Sequence, residues 1–277
     1  MRKINKSIKS LVMSIALVCC GAKLFASNLE NLHPFELNPV NDSILMGTGV
    51  ALSGSALICD KLLNIKSSDF DASELSKGDI PVFEQIFMRP YSKTLHIVGT
   101  GTMALSLVSP VMFAAVPKSE WLSIGMMYGE TLLIANGIKE WLKIAVNRPR
   151  PYMYYEGYPQ NKVDDGDWNC SFPSGHSTFA FTGAAFVSYL FNLYYPDSSW
   201  RYAVTGAAFG VAALTAGLRM ASGNHFFTDV LTGAVIGTIC GFAIPYMHTE
   251  AFYKKFQKSK NTNMSVTPMG FNFQYRF

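Results

Sequence analysis

The sequence predicts an all-α fold, a six-helix integral-membrane bundle with a reactive polar site at one membrane face. Composition is the first sign. Only 15% of the 277 residues are charged and 49% are hydrophobic, where soluble domains carry about a quarter charged residues. The second sign is a set of six apolar runs, each near the ~20 residues a helix needs to cross a bilayer. The third is that the unusual polar residues are confined to three short clusters at the ends of these runs.

The first 26 residues read as an export signal or an uncleaved N-terminal anchor. Arg2, Lys3, Lys6 and Lys9 precede an apolar run over 11–21, and Ala26 offers a small-residue cleavage point. Residues 27–250 hold the helical bundle. The runs cover 44–63, 96–116, 121–142, 177–195, 202–218 and 228–246. They are rich in Gly, Ala, Ser and Thr, which let membrane helices approach closely. Six of them would overfill a soluble core of this length. Trp121, Trp141, Tyr195 and Trp200 stand at run ends, where an interfacial aromatic belt would place them. Residues 251–277 read as a lysine-rich, disordered or edge-docked tail. It ends in a strand-like alternation, Met269, Phe271, Phe273, Tyr275 and Phe277 against polar neighbours.

The net charge of +4, from 23 basic and 19 acidic residues, is small and scattered, which excludes a nucleic-acid partner. The five cysteines show no metal-ligand spacing and no disulfide framework.

The first polar cluster contains Lys143, Arg148 and Arg150, with Pro149 and Pro151 ending the helix. By itself it reads better as the basic flank of a membrane helix. The second is Pro173-Ser174-Gly175-His176, at the start of the fourth run. Ser caps a helix, Gly admits close backbone approach, and free N–H groups at a helix start attract anions. The third contains Arg219, His225 and Asp229. Residues 225 and 229 are four apart, so they share a helix face. Asp229 would then accept a hydrogen bond from one ring nitrogen and leave the other free to attack. If the helices alternate in direction, all three clusters lie on one side of the bundle. Converging cations and amide N–H groups suit a phosphoryl group in transfer.

The spacing Lys143, six residues, Arg150-Pro151, then Pro173-Ser174-Gly175-His176, then Arg219, five residues, His225, three residues, Asp229 resembles the type 2 phosphatidic acid phosphatase superfamily. The resemblance runs over about residues 44–246. It implies that Lys143, Arg150, Arg219, Ser174 and the Gly175 N–H bind phosphate. It implies that His225 attacks phosphorus, Asp229 orients it, and His176 protonates the leaving alcohol. It also implies no cofactor and no metal. The substrate class would be a lipid phosphate or pyrophosphate, such as phosphatidic acid, phosphatidylglycerol phosphate, undecaprenyl pyrophosphate or a lipid A phosphate. The chain departs from the family at Leu218, where serine is usual.

Other readings fit parts of the sequence. An exported acid phosphatase on soluble esters would use the apolar runs as buried helices. A vanadate haloperoxidase shares the anion ligands but is usually much longer. An anion transporter could use Glu130, which falls inside the third run, but leaves the pairing of His225 with Asp229 unexplained. Asp164, Asp165 and Asp167 read as solvated loop residues, Arg148 as outside the pattern, and His33, His96 and His248 as lacking partners. The bacterial inner membrane is the expected location. The positive-inside tendency puts the tail lysines in the cytoplasm and the site toward the periplasm, provided that residues 11–21 do not cross.

Overall fold

The computed structural model describes residues 33–62 and 75–258, and the backbone of 262–267 and 270–275. The signal or anchor over 1–26, and Asp69, Asp71 and Glu74, lie outside the described residues.

Six long helices form the bundle: α1 Pro39–Leu62, α2 Lys93–Val108, α3 Trp121–Val146, α4 Gly175–Tyr194, α5 Trp200–Ala221 and α6 Phe227–Met247. Each overlaps one of the six apolar runs. A 3-10 segment, Ser109–Ala115, extends α2. Four helical stretches are long and apolar enough to cross a membrane: Pro39–Leu62, Lys93–Ala115, Trp200–Ala221 and Phe227–Met247. Of the other two long helices, α4 is the most buried of the bundle. Helix α4 is the centre of the bundle, in contact with α2, α3, α5 and α6, while α1 packs on α3. Large apolar side chains such as Leu57, Ile58, Leu122 and Ile239 face outward. A lipid-facing surface has that inverted pattern. The molecule is a helical membrane protein.

Small residues set how closely the helices approach. A Cβ at Gly237 on α6 would lie 2.2 Å from the Thr178 carbonyl oxygen on α4. Only glycine permits that distance. Gly223, with φ of +73°, turns the chain between α5 and α6, and a Cβ there would meet the Arg89 carbonyl at 2.4 Å. That turn is thereby held against the segment between α1 and α2.

The alternation of helix direction sorts the connections onto two ends. At one end, Ser92 N–H donates to Ser222 O (3.2 Å) and Tyr152 N–H to Gly223 O (3.0 Å). These bonds tie together the α1–α2, α3–α4 and α5–α6 connections. At the other end, Glu120 accepts from Tyr194 Oη (2.8 Å), and Phe35 forms an isolated bridge with Thr249.

One expectation needs correction. Tyr195 is 8% exposed, inside an aromatic cluster with Phe191 and Tyr194, and is no interfacial belt residue. The C-terminal segment holds a strand where the alternation suggested one, and two further elements. Helix α7, Glu250–Lys258, is followed by strands β1, Thr262–Thr267, and β2, Gly270–Tyr275, paired antiparallel with Thr262 opposite Tyr275. The alternation marked β2, but the polar Thr262–Thr267 gave no comparable signal of its partner.

Candidate active site

The site is built where α3 ends, α4 begins and α6 begins. Asn147, with φ of 46°, closes α3 in the left-handed conformation. The chain then runs through Arg148 and Arg150. Pro149 and Pro151 prevent further helix. Ser174 is the N-cap of α4, its hydroxyl accepting from Ser177 N–H at 3.3 Å. Ser174 N–H donates to the Asp229 carbonyl at 3.0 Å. The starts of α4 and α6 are therefore joined by backbone.

Arg150 is buried and organises the centre. Its Nη1 donates to Asn224 O (2.9 Å) and lies 3.1 Å from His225 Nε2. Its Nη2 pairs with Asp167 Oδ1 at 2.6 Å, and its Nε donates to Asp167 O at 2.7 Å. Arg219, 1% exposed, reaches His96 Nδ1 with Nη1 at 3.0 Å, and its buried Nε has no hydrogen-bond partner in the protein. His176 Nε2 is 3.1 Å from Thr100 Oγ1. The rings of His96 and His176 are 6.1 Å apart. His176 is within electrostatic reach of Arg219, His225 and Arg150. Lys143 Nζ donates to Cys170 O at 3.2 Å and lies within reach of Arg150. A Cβ on Gly175 would press on Lys139 Cδ at 3.2 Å, so the bare backbone of α4 leaves room for a second lysine. These contacts bring Lys143, Arg150, His176, Arg219 and His225 to one end of the bundle, beside the joined starts of α4 and α6.

The relation of His225 to Asp229 differs from the expectation. His225 lies before α6, not on it, and Phe226 is the N-cap. Its Nδ1 is 2.8 Å from the Ser171 carbonyl, but 3.6 Å from Asp229 Oδ2. A carbonyl only accepts, so Nδ1 carries the proton and Nε2 presents its lone pair. Asp229 does its work one layer out. Its Oδ2 accepts from Ser171 Oγ (2.5 Å) and Phe226 N–H (2.8 Å). It thereby ties the irregular segment at Ser171 to the turn that carries the imidazole.

Burial first, then the charges of Arg150, Arg219 and Lys143, push the His225 pKa well below its ordinary value; the Ser171 carbonyl opposes them. The ring is neutral at physiological pH. Burial would raise the pKa of Asp167, but the Arg150 and Lys162 charges outweigh it and hold the carboxylate ionised.

Several functional neighbours escaped the sequence reading. Arg148 is no mere flank. It donates to Asp229 Oδ1 and Thr228 Oγ1, both at 2.9 Å, pairs with Glu84, and stacks 3.9 Å over the Phe226 ring. Glu84 is buried and also accepts from Thr228 Oγ1. Asp167 is an ion-pair partner of Arg150 and Lys162, whereas Asp164 and Asp165 are exposed as expected. His96 has Arg219 as partner, His33 has Glu120 at 2.5 Å, and His248 has Asp42 at 3.1 Å. The Arg-Pro-Arg doublet was a usable signal for Arg148. Glu84 had none, because its partners are 64 and 144 positions away. Leu218, at the departure from the family pattern, packs against Gly99 on α2, where a Cβ would lie 3.3 Å away.

Comparison with known proteins follows the same outline. The chain is 26% identical over 177 residues to lipid phosphate phosphatase 1 of Arabidopsis thaliana, covering 52% of each protein. It is 39% identical over 77 residues to lipid A 1-phosphatase of Porphyromonas gingivalis, covering 28% of this chain and 16% of that one. The chain therefore spans about half, or less, of the length of these curated relatives. A transmembrane PAP2 type phosphatidylglycerolphosphate phosphatase from Bacillus subtilis superposes with a TM-score of 0.44 at 22% identity, covering 76% of this chain and 98% of that one. The sequence model of the PAP2 superfamily matches residues 124–253, the stretch that holds all three polar clusters. Residues 124–253 of this chain belong to the PAP2 superfamily.

Proposed function

We propose that the chain is a membrane phosphatase that hydrolyses a lipid phosphate or pyrophosphate through a phosphohistidine on His225. The observation that carries this reading is the buried convergence of Arg150, Arg219, Lys143 and the α4 start near Nε2 of His225, whose lone pair faces Arg150 Nη1. The phosphoryl oxygens bind to Lys143, Arg150 and Arg219, with Ser174 and the Gly175 N–H at the positive end of α4. Nε2 of His225 attacks phosphorus and forms the P–N bond as the P–O bond to the lipid breaks. His176 gives its proton to the departing alkoxide. A water then loses a proton to His176 and attacks phosphorus, the P–N bond breaks, and inorganic phosphate leaves. Side-chain cations and amide dipoles supply all the positive charge that this scheme needs. Asp229, Ser171 and Arg148 act by positioning His225.

Two observations support a lipid substrate. The site lies at an end of a membrane bundle, and the relatives' names refer to lipid phosphates. We place the protein in the bacterial inner membrane with this end toward the periplasm, which leaves the lysines after residue 253 in the cytoplasm.

The test is phosphate release by purified protein from phosphatidic acid, phosphatidylglycerol phosphate, undecaprenyl pyrophosphate and lipid A micelles. Hydrolysis inhibited by vanadate and lost in His225→Ala is expected. Full activity in His225→Ala, or hydrolysis of soluble esters alone, would overturn the reading.

A further inference from the structure

A second buried polar cluster lies at the other end of the bundle. Helix α6 has 21 residues, so at 1.5 Å per residue its two ends are about 30 Å apart. His225 precedes it and His248 follows it. His248 is fully buried, as is Glu130 of α3, and Asp42 of α1 is 8% exposed. His248 Nε2 is 3.1 Å from Asp42 Oδ1 and 3.2 Å from Glu130 Oε2. One donor atom from each of the three residues falls within 4.8 Å of the others.

The hydrogen bonding of His248 makes this arrangement informative. Its Nδ1 is 2.8 Å from the Ile244 carbonyl, so Nδ1 carries a proton. In the neutral ring, Nε2 then turns a lone pair toward two carboxylate oxygens. Three electron-rich atoms do not face one another in a buried place without a cation between them. Glu130 Oε1 adds to the deficit, because it is buried with no hydrogen-bond partner. An imidazole whose far nitrogen donates to a backbone carbonyl is also the usual arrangement behind a metal-bound histidine.

We propose that Asp42, Glu130 and His248 form a divalent-cation site that fastens the start of α1 and the end of α6 to α3. One nitrogen and two carboxylate oxygens suit a first-row ion of the Zn2+ or Mn2+ kind. Donor atoms around a tetrahedral ion of this size stand about 3.3 Å apart, close to the two separations above. Two carboxylates, a neutral imidazole and a dication sum to zero charge, as a buried membrane site requires. Asp42, the least covered of the three, gives the entry path. The site is structural, remote from the phosphate-binding end, and independent of the hydrolytic reading.

The test uses the full chain in detergent, purified without metal-affinity resin, stripped with chelator and then offered Zn2+ or Mn2+. Elemental analysis is expected to find about one ion per chain. Affinity should fall at least about tenfold in His248→Ala and in the near-isosteric Glu130→Gln, and remain in His33→Ala. Chelation should lower Tm in the wild type and not in Glu130→Gln. If His248→Ala does not fold, Glu130→Gln and the wild type still decide. No bound ion under either probe, with Tm indifferent to chelator, would overturn the site and leave a protonated His248 bridging two carboxylates. Equal ion content in Glu130→Gln would overturn it as well.

Discussion

The two ends of the bundle solve the same problem, buried charge, with opposite signs. The end holding His225 gathers cations: Lys143, Arg150, Arg219 and Arg148, with carboxylates enough to anchor Arg150 and Arg148 but not Arg219. The end holding His248 gathers carboxylates around one imidazole. A histidine at each end donates Nδ1–H to a backbone carbonyl, Ser171 at one and Ile244 at the other. The tautomer is therefore the same, and what faces Nε2 differs. At the first end a guanidinium stands beside the lone pair, which suits a site that receives an anion. At the second, two carboxylates do, which suits a site that receives a cation. The ligand preference of a buried imidazole is set by its neighbours' charge, not by the imidazole.

The contrast can be broken most sharply at the first end. His225→Ala should reduce phosphate release by about 10³-fold or more, with Tm nearly unchanged, as a linked assay and melting curve would show. Next in size is Arg148→Ala, which strands Glu84 and Asp229 as buried carboxylates. Removing one partner of such a group costs about 3–5 kcal/mol, and denaturant unfolding should register it. Arg148→Lys should recover only part, because a lysine cannot span both acids and stack on Phe226. A smaller effect concerns pH. The folded His225 pKa is depressed, so its neutral form persists as pH falls through its ordinary 6.5. The acid limb of kcat/KM, corrected for substrate ionisation, should therefore lie well below that value, and a limb at or above it would contradict the burial argument. The smallest effect belongs to the far end. Glu130→Gln should leave kcat/KM within about twofold, since Glu130 precedes Lys143 by 13 residues of α3, about 20 Å along the helix. A large loss of turnover there, in a protein of unchanged Tm, would mean that the ends are coupled.

Much of this was legible in the residues. The runs found the six long helices because a membrane span must be apolar over a fixed length. The cluster residues found the site because cations, Gly and His are costly in such a chain and stand out. The sequence misled where one spacing has two structural meanings. His225 and Asp229 are four apart, yet the helix begins between them, so Asp229 became a capping carboxylate rather than the ring's direct partner. Partners distant along the chain were silent. Glu84 sits in a polar connection with nothing to mark it, and Asp42, Glu130 and His248 come from three elements, with His248 and Asp42 206 positions apart. Such sets become visible only when packing has brought them together.

The most direct measurement of the central claim is the configuration at phosphorus. An isotopically chiral thiophosphate ester of the preferred lipid, hydrolysed in isotopically labelled water, reports how many displacements occurred. Attack by His225 followed by attack of water gives two inversions, so overall retention is expected. Overall inversion would show water attacking the ester directly and would contradict a covalent role for His225.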